Sequence, residues 1–126
     1  MKIISTKVHA VLDYLMGLIL ILAPYLLHFA DGSLAHHLPV ALGVTLLALS
    51  LFTNYELSMV KAIPMSAHLI LDFFMGLFLL ASPWIFDFSN TVYLPYVVLG
   101  ALEMGAALLT KTAPTFSGKT TRHQPV

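Results

Sequence analysis

Residues 9–29 and 68–88 are one segment written twice, and this duplication limits the folds open to the chain more than any other feature. At a constant offset of 59 the copies are identical at nine of 21 positions: His9, Leu12, Asp13, Met16, Gly17, Leu18, Leu20, Pro24 and Phe29. Each copy contains a long run, Tyr14 to Leu27 and Phe73 to Phe86, that is apolar on every side. A soluble helix keeps a polar face along its length, so a soluble four-helix bundle does not account for these runs. The whole chain is 59% hydrophobic and only 10% charged, which makes lipid the implied solvent.

Residues 6–29 resemble a signal peptide in following two lysines, and Ser33-Leu34-Ala35 offers a weak small-residue cleavage site. A cleavable leader has no reason to recur in mid-chain with its His, Asp, Gly and Pro intact, so the expectation is a retained transmembrane helix. Ala30 to His37 then reads as a loop, Leu38 to Asn54 as a second span, and residues 55–63 as a polar link. The third span is expected from Pro64 to about Phe86, with Pro64 in the first turn where its missing N–H costs nothing. Asp87 to Thr91 reads as a turn and Val92 to Thr110 as a fourth span. Pro39 and Pro95 are expected at the starts of the second and fourth spans, and Leu42-Gly43 echoes Leu99-Gly100.

The predicted fold is all-α: a four-helix transmembrane bundle built from two parallel two-helix hairpin repeats. A single membrane domain over residues 1–110 contains repeat 1 at about 6–54 and repeat 2 at about 64–110. Residues 111–126, rich in Thr, Pro, Ser and Lys, are expected to be a disordered cytoplasmic tail.

The six basic residues, Lys2, Lys7, Lys61, Lys111, Lys119 and Arg122, all fall at the termini or in the middle link. By the positive-inside rule both termini are therefore expected in the cytoplasm. The opposite loops carry Asp31 and Asp87, with Tyr25, Phe29, Trp84, Phe86, Phe88, Tyr93 and Tyr96 expected as an aromatic girdle at the outer headgroups. With six acidic residues balancing six basic ones, there is no electrostatic footprint for nucleic acid. The absence of cysteine excludes disulfides, thiolate metal sites and thiol catalysis. The bilayer is the implied partner, with a second copy or another membrane protein compatible with so small a bundle.

At about 100° per residue, His9, Asp13, Met16, Gly17, Leu20 and Pro24 share one side of the first helix. Lipid-facing positions can drift among apolar residues, so this retained stripe is expected to face protein. Gly17 and Gly76 would then let backbones approach. Pro24 and Pro83 each free the carbonyl four residues back, predicting a kink near the outer surface, and Ser82 could offer its hydroxyl to that region.

Ser82-Pro83-Trp84, preceded by His68, Asp72 and Gly76 and duplicated in its surroundings, resembles the SPW-repeat family of small bacterial integral membrane proteins over residues 9–110. Ala23-Pro24-Tyr25 departs from the tripeptide in the first copy, keeping the proline and an interfacial aromatic. The resemblance implies the plasma (inner) membrane of a bacterium as location and implies no catalytic residues.

His9 with Asp13, and His68 with Asp72, are spaced i, i+4, so each pair can meet on one helix face. Glu103 is expected at a similar depth. An ionisable group inside a bilayer is costly and normally paired. Three readings stay open for these five residues: structural pairing that locks the repeats, a proton or ion pathway, and coordination of a divalent metal. Haem ligation by His9 and His68 is a further variant. His28, Asp31, His36 and His37 form a second group on the opposite side, read as ordinary interfacial residues that could take a metal. No phosphate loop, nucleophile elbow or dinucleotide fingerprint occurs, so an enzymatic role has no sequence support.

Overall fold

A computed structural model of the protein describes residues 2–113 as four helices. Helix α1 spans Thr6–Leu26, α2 Leu34–Leu51, α3 Met65–Ile85 and α4 Leu94–Leu109. The first three are long and apolar enough to cross a membrane, while α4, with 16 residues, is a shorter apolar helix. At 1.5 Å per residue α4 reaches about 24 Å, so its flanks must complete any span. Large apolar side chains point outward along the helices, among them Leu15, Ile70, Phe74 and Leu102, as expected where lipid takes the place of water. The expected tail falls, from residue 114 onward, outside the described residues.

Each helix pair packs through glycine. A β-carbon on Gly17 would lie 2.6 Å from a methyl of Leu47, and one on Gly43 would lie 2.6 Å from the Gly17 carbonyl. Gly76 and Gly100 repeat the arrangement between α3 and α4, with backbone oxygens 2.8 and 2.6 Å away. Without a hydrophobic drive between helices in lipid, such close backbone approach supplies much of the attraction.

The first and third helices end alike. Beyond α1, Leu27 caps the helix, His28 takes a left-handed φ of 60°, and the Phe29 N–H reaches back 2.9 Å to the Pro24 carbonyl. Beyond α3, Asp87 has φ 58° and the Phe88 N–H reaches the Pro83 carbonyl at 2.8 Å. This is the Schellman closure, in which a left-handed residue lets the following N–H satisfy a terminal carbonyl. Ser82 donates to the Phe78 carbonyl at 2.5 Å, one residue before the carbonyl that Pro83 frees.

Two expectations need correction. Helix α2 starts at Leu34, four residues before the expected Leu38, so Pro39 lies inside it while Pro95 sits in the first turn of α4. Pro39 has no N–H for the carbonyl of Ala35, and the Tyr96 hydroxyl from α4 donates to that carbonyl instead. The aromatic girdle also divides. Tyr25, Trp84, Phe86 and Tyr93 are exposed, whereas Phe29 and Tyr96 are buried with Leu20, Ala23 and Leu79, with Phe88 packed against them, as the core of that end of the bundle.

The opposite end is tied across the sequence. Isolated parallel bridges join Ile4 to Thr110 and Thr53 to Ile63, so the segment before each first helix pairs with the end of the other hairpin. Lys2 also reaches the Thr110 carbonyl at 3.2 Å, and Ser5 caps α1 by accepting from Val8 N–H.

Candidate functional site

Between these tied ends and the glycine contacts lie His9, Asp13, His68 and Asp72, all buried at 0–1% exposure. The i, i+4 pairs form as spacing predicts: His9 Nε2 is 3.0 Å from Asp13 Oδ1, and His68 Nε2 is 2.9 Å from Asp72 Oδ2. The same nitrogens also reach across the hairpins. His9 Nε2 is 2.9 Å from Asp72 Oδ2, and His68 Nε2 is 2.8 Å from Asp13 Oδ2. Each imidazole thus touches both carboxylates, and the rings stand edge to face with centroids 5.6 Å apart.

The outer nitrogens fix the proton arrangement. Thr110 donates its hydroxyl proton to the Ala106 carbonyl at 2.6 Å, so at 2.8 Å from His9 Nδ1 it can only accept, and His9 Nδ1 carries a proton. Thr53 donates likewise to Leu49 at 2.6 Å and accepts from His68 Nδ1 at 2.7 Å. Two further protons among the two Nε2 atoms and two carboxylates would leave the quartet neutral, whether written as imidazolium with carboxylate or as neutral acid with neutral imidazole. Neutrality is the condition for burying it at moderate cost.

The two halves are not equivalent. Asp13 Oδ2 also accepts from the Tyr55 hydroxyl at 3.3 Å, and Ser50 Oγ stands 3.5 Å away. Burial pushes the Tyr55 phenol well above its ordinary range, so it remains a neutral donor. Counted from the matching glycines, Ser50 corresponds to Ala107 and Tyr55 to Thr112, so Asp72 has no such donors. Its Oδ1 is buried with no hydrogen-bond partner. Glu103, at the position corresponding to Leu46, is 6% exposed, and its Oε1 likewise lacks a partner.

The Ser-Pro-Trp segment lies at the far end of α3, with Ser82 and Pro83 buried and Trp84 exposed, 6.1 Å between ring centroids from Tyr93. A family model for the SPW repeat domain matches residues 7–110. The chain belongs to the SPW repeat family. Among curated proteins and among solved structures, none matches it. It is a small membrane protein whose helices carry the buried His/Asp cluster within the SPW repeat domain.

Of the sequence-predicted candidates, this SPW repeat protein brings four together. The donor atoms of His9, Asp13, His68 and Asp72 all lie within 4.8 Å of one another, and Glu103 stands outside that set. Haem does not suit the pair of imidazoles, because the Asp13 and Asp72 carboxylates fill the space between the two Nε2 atoms. On the opposite side, His36 accepts the Gly32 N–H at Nδ1 and contacts the Tyr25 hydroxyl through Nε2 at 3.1 Å, while His37 stacks on it. Hydrogen bonds from Ser33 hold the Asp31 carboxyl below its usual range. Among the described residues, this second group makes no converging ligand set. Thr53 and Thr110 escape the sequence reading, although each follows a duplicated glycine, Gly43 or Gly100, by ten residues; Ser50 reads from sequence as part of a polar packing face and Tyr55 as an interfacial anchor, whereas Tyr55 is fully buried against the quartet.

Proposed function

We propose that the SPW repeat chain is a multi-pass membrane protein of structural or partner-binding character, in which the quartet clamps two hairpin repeats into one unit. The observation that carries this reading is the cross-pairing of His9 with Asp72 and of His68 with Asp13. Close backbone contact holds each hairpin internally, through Gly17 with Gly43 and Gly76 with Gly100. Between hairpins the polar quartet, the two bridges, the Tyr96 hydroxyl and the apolar core of Leu20, Ala23, Phe29, Leu79 and Tyr96 do the joining. The repeats are related by a pseudo-two-fold axis along the membrane normal and form a single domain over residues 1–110. The basic residues favour a cytoplasmic location for both termini and the middle link, in the inner membrane of a bacterium.

Co-expression of residues 1–57 and 58–126 as separate chains tests the clamp. The halves should copurify in mild detergent, and His9→Gln in the first half should abolish copurification. A reporter fused after residue 33 of the first half should signal the outer side. Halves that ignore each other, or that associate equally well with the variant, would contradict the clamp.

A further inference from the structure

The clamp explains why the quartet is neutral and buried, but it leaves two acceptors idle. Asp72 Oδ1 lies in the quartet itself, and Glu103 Oε1 is a second buried carboxyl oxygen without a partner. A purely structural polar network ordinarily satisfies every member, since each buried unpaired oxygen is costly. Of the two, Asp72 Oδ1 stands beside the converging imidazoles, and an idle carboxyl oxygen in that position is what a cation site presents.

We propose that the quartet binds one divalent first-row transition-metal ion, for which zinc is the representative. Three features of the site support this. The donor set is two imidazole nitrogens and two carboxylates, a mixture that suits zinc and its neighbours better than magnesium or calcium, which prefer all-oxygen shells. Both Nδ1 atoms are already committed as donors to Thr53 and Thr110, leaving each Nε2 directed inward, the arrangement in which a ligating histidine is oriented by its outer N–H. The four His–Asp contacts of 2.8–3.0 Å need to open by a few tenths of an ångström, and the remaining donor pairs, all within 4.8 Å, to draw together. Ligands held about 2.0–2.2 Å from a tetrahedral ion stand about 3.3–3.5 Å apart.

Charge balances without any other group. The closed quartet holds two shared protons on two imidazoles and two carboxylates, and one divalent ion displaces both. Four metal–ligand bonds form, two protons leave to solvent, and the buried charge stays at zero. Asp72 Oδ1, free of other donors, can swing onto the ion or remain as a second oxygen of the same carboxylate. Thr53 and Thr110 are positioning residues.

The test uses the full chain in detergent, free of affinity tag, with the other four histidines replaced as His28→Asn, His36→Ala, His37→Ala and His123→Ala. His9 and His68 are then the remaining imidazoles. Titration with zinc chloride should give one ion per chain with release of about two protons, and zinc X-ray absorption should show imidazole nitrogen with carboxylate oxygen. Asp72→Asn should weaken binding by 100-fold or more, and Thr53→Val with Thr110→Val by about 10- to 100-fold. Should Asp72→Asn fail to fold, stoichiometry, proton release and the absorption spectrum of the chain with the quartet intact still decide. No stoichiometric zinc, no proton release, or a shell without imidazole would overturn the metal site. None of these outcomes bears on the clamp, which is read in the presence of a chelator.

Discussion

Thr53 and Thr110 act at the scale of single atoms. Each spends its one proton on a helix carbonyl and so offers a bare lone pair to the histidine of the other repeat. Valine has the same shape without that acceptor, and a buried N–H left unpaired costs about 1–3 kcal/mol. Thr53→Val or Thr110→Val should therefore lower stability in detergent by that amount, while Thr→Ser at either position should change it little. Denaturant unfolding followed by circular dichroism measures this; Val variants as stable as the parent would show that the outer nitrogens need no partner. At this scale the sequence revealed His9, Asp13, His68 and Asp72 because their spacing puts each pair on one helix face. It did not reveal the cross-pairs, since periodicity tells which face a residue occupies and not which residue stands opposite. The contacts of Tyr55 and Ser50 with Asp13 are hidden for another reason: the second repeat has Thr112 and Ala107 in their places, so no duplication marks them as partners of the quartet.

Helices α1 and α2, and again α3 and α4, approach until glycine backbones touch. The four contact glycines differ sharply from Gly105, where an added β-carbon meets nothing within 4 Å. Gly100→Ala should cost about 1–3 kcal/mol by overpacking against the Gly76 carbonyl and Leu80. Gly105→Ala, on the same helix, should be neutral or stabilising by up to about 1 kcal/mol through helix propensity. Thermal midpoints of the two variants compare them directly, and equal midpoints would contradict the close-packed arrangement. The stripe of His9, Asp13, Met16, Gly17, Leu20 and Pro24 made this packing readable, because only a protein-facing side resists drift. The start of α2 was less readable. Pro39 looked like a helix start, but the chain was already helical from Leu34, with Tyr96 supplying the donor that Pro39 lacks. A compensating hydroxyl on another helix leaves no local trace. The girdle aromatics divide for a related reason: composition places Phe29, Phe88 and Tyr96 near one end of the bundle but does not tell whether they face its core or its surroundings.

Across the whole molecule, the hairpins exchange partners at their polar end. Each first helix is preceded by a residue bridged to the other hairpin, and each histidine donates to the other hairpin's threonine and meets the other hairpin's aspartate. The duplication made two similar halves legible; how they interlock depends on pairs such as His68 with Asp13, His9 with Asp72 and His9 with Thr110, which stand 55, 63 and 101 residues apart and for which one sequence carries no signal. If the interlock holds the molecule together, His9 and Asp72 must be energetically coupled and not merely adjacent. Removing one member of a buried pair leaves the other uncompensated, at about 3–5 kcal/mol, so removing the second should cost far less than it does alone. A double-mutant cycle of His9→Gln and Asp72→Asn, read by reversible unfolding of the full chain in detergent with chelator present, measures this directly. A coupling of about 2 kcal/mol or more is expected. Costs that simply add, within about 0.5 kcal/mol, would contradict it.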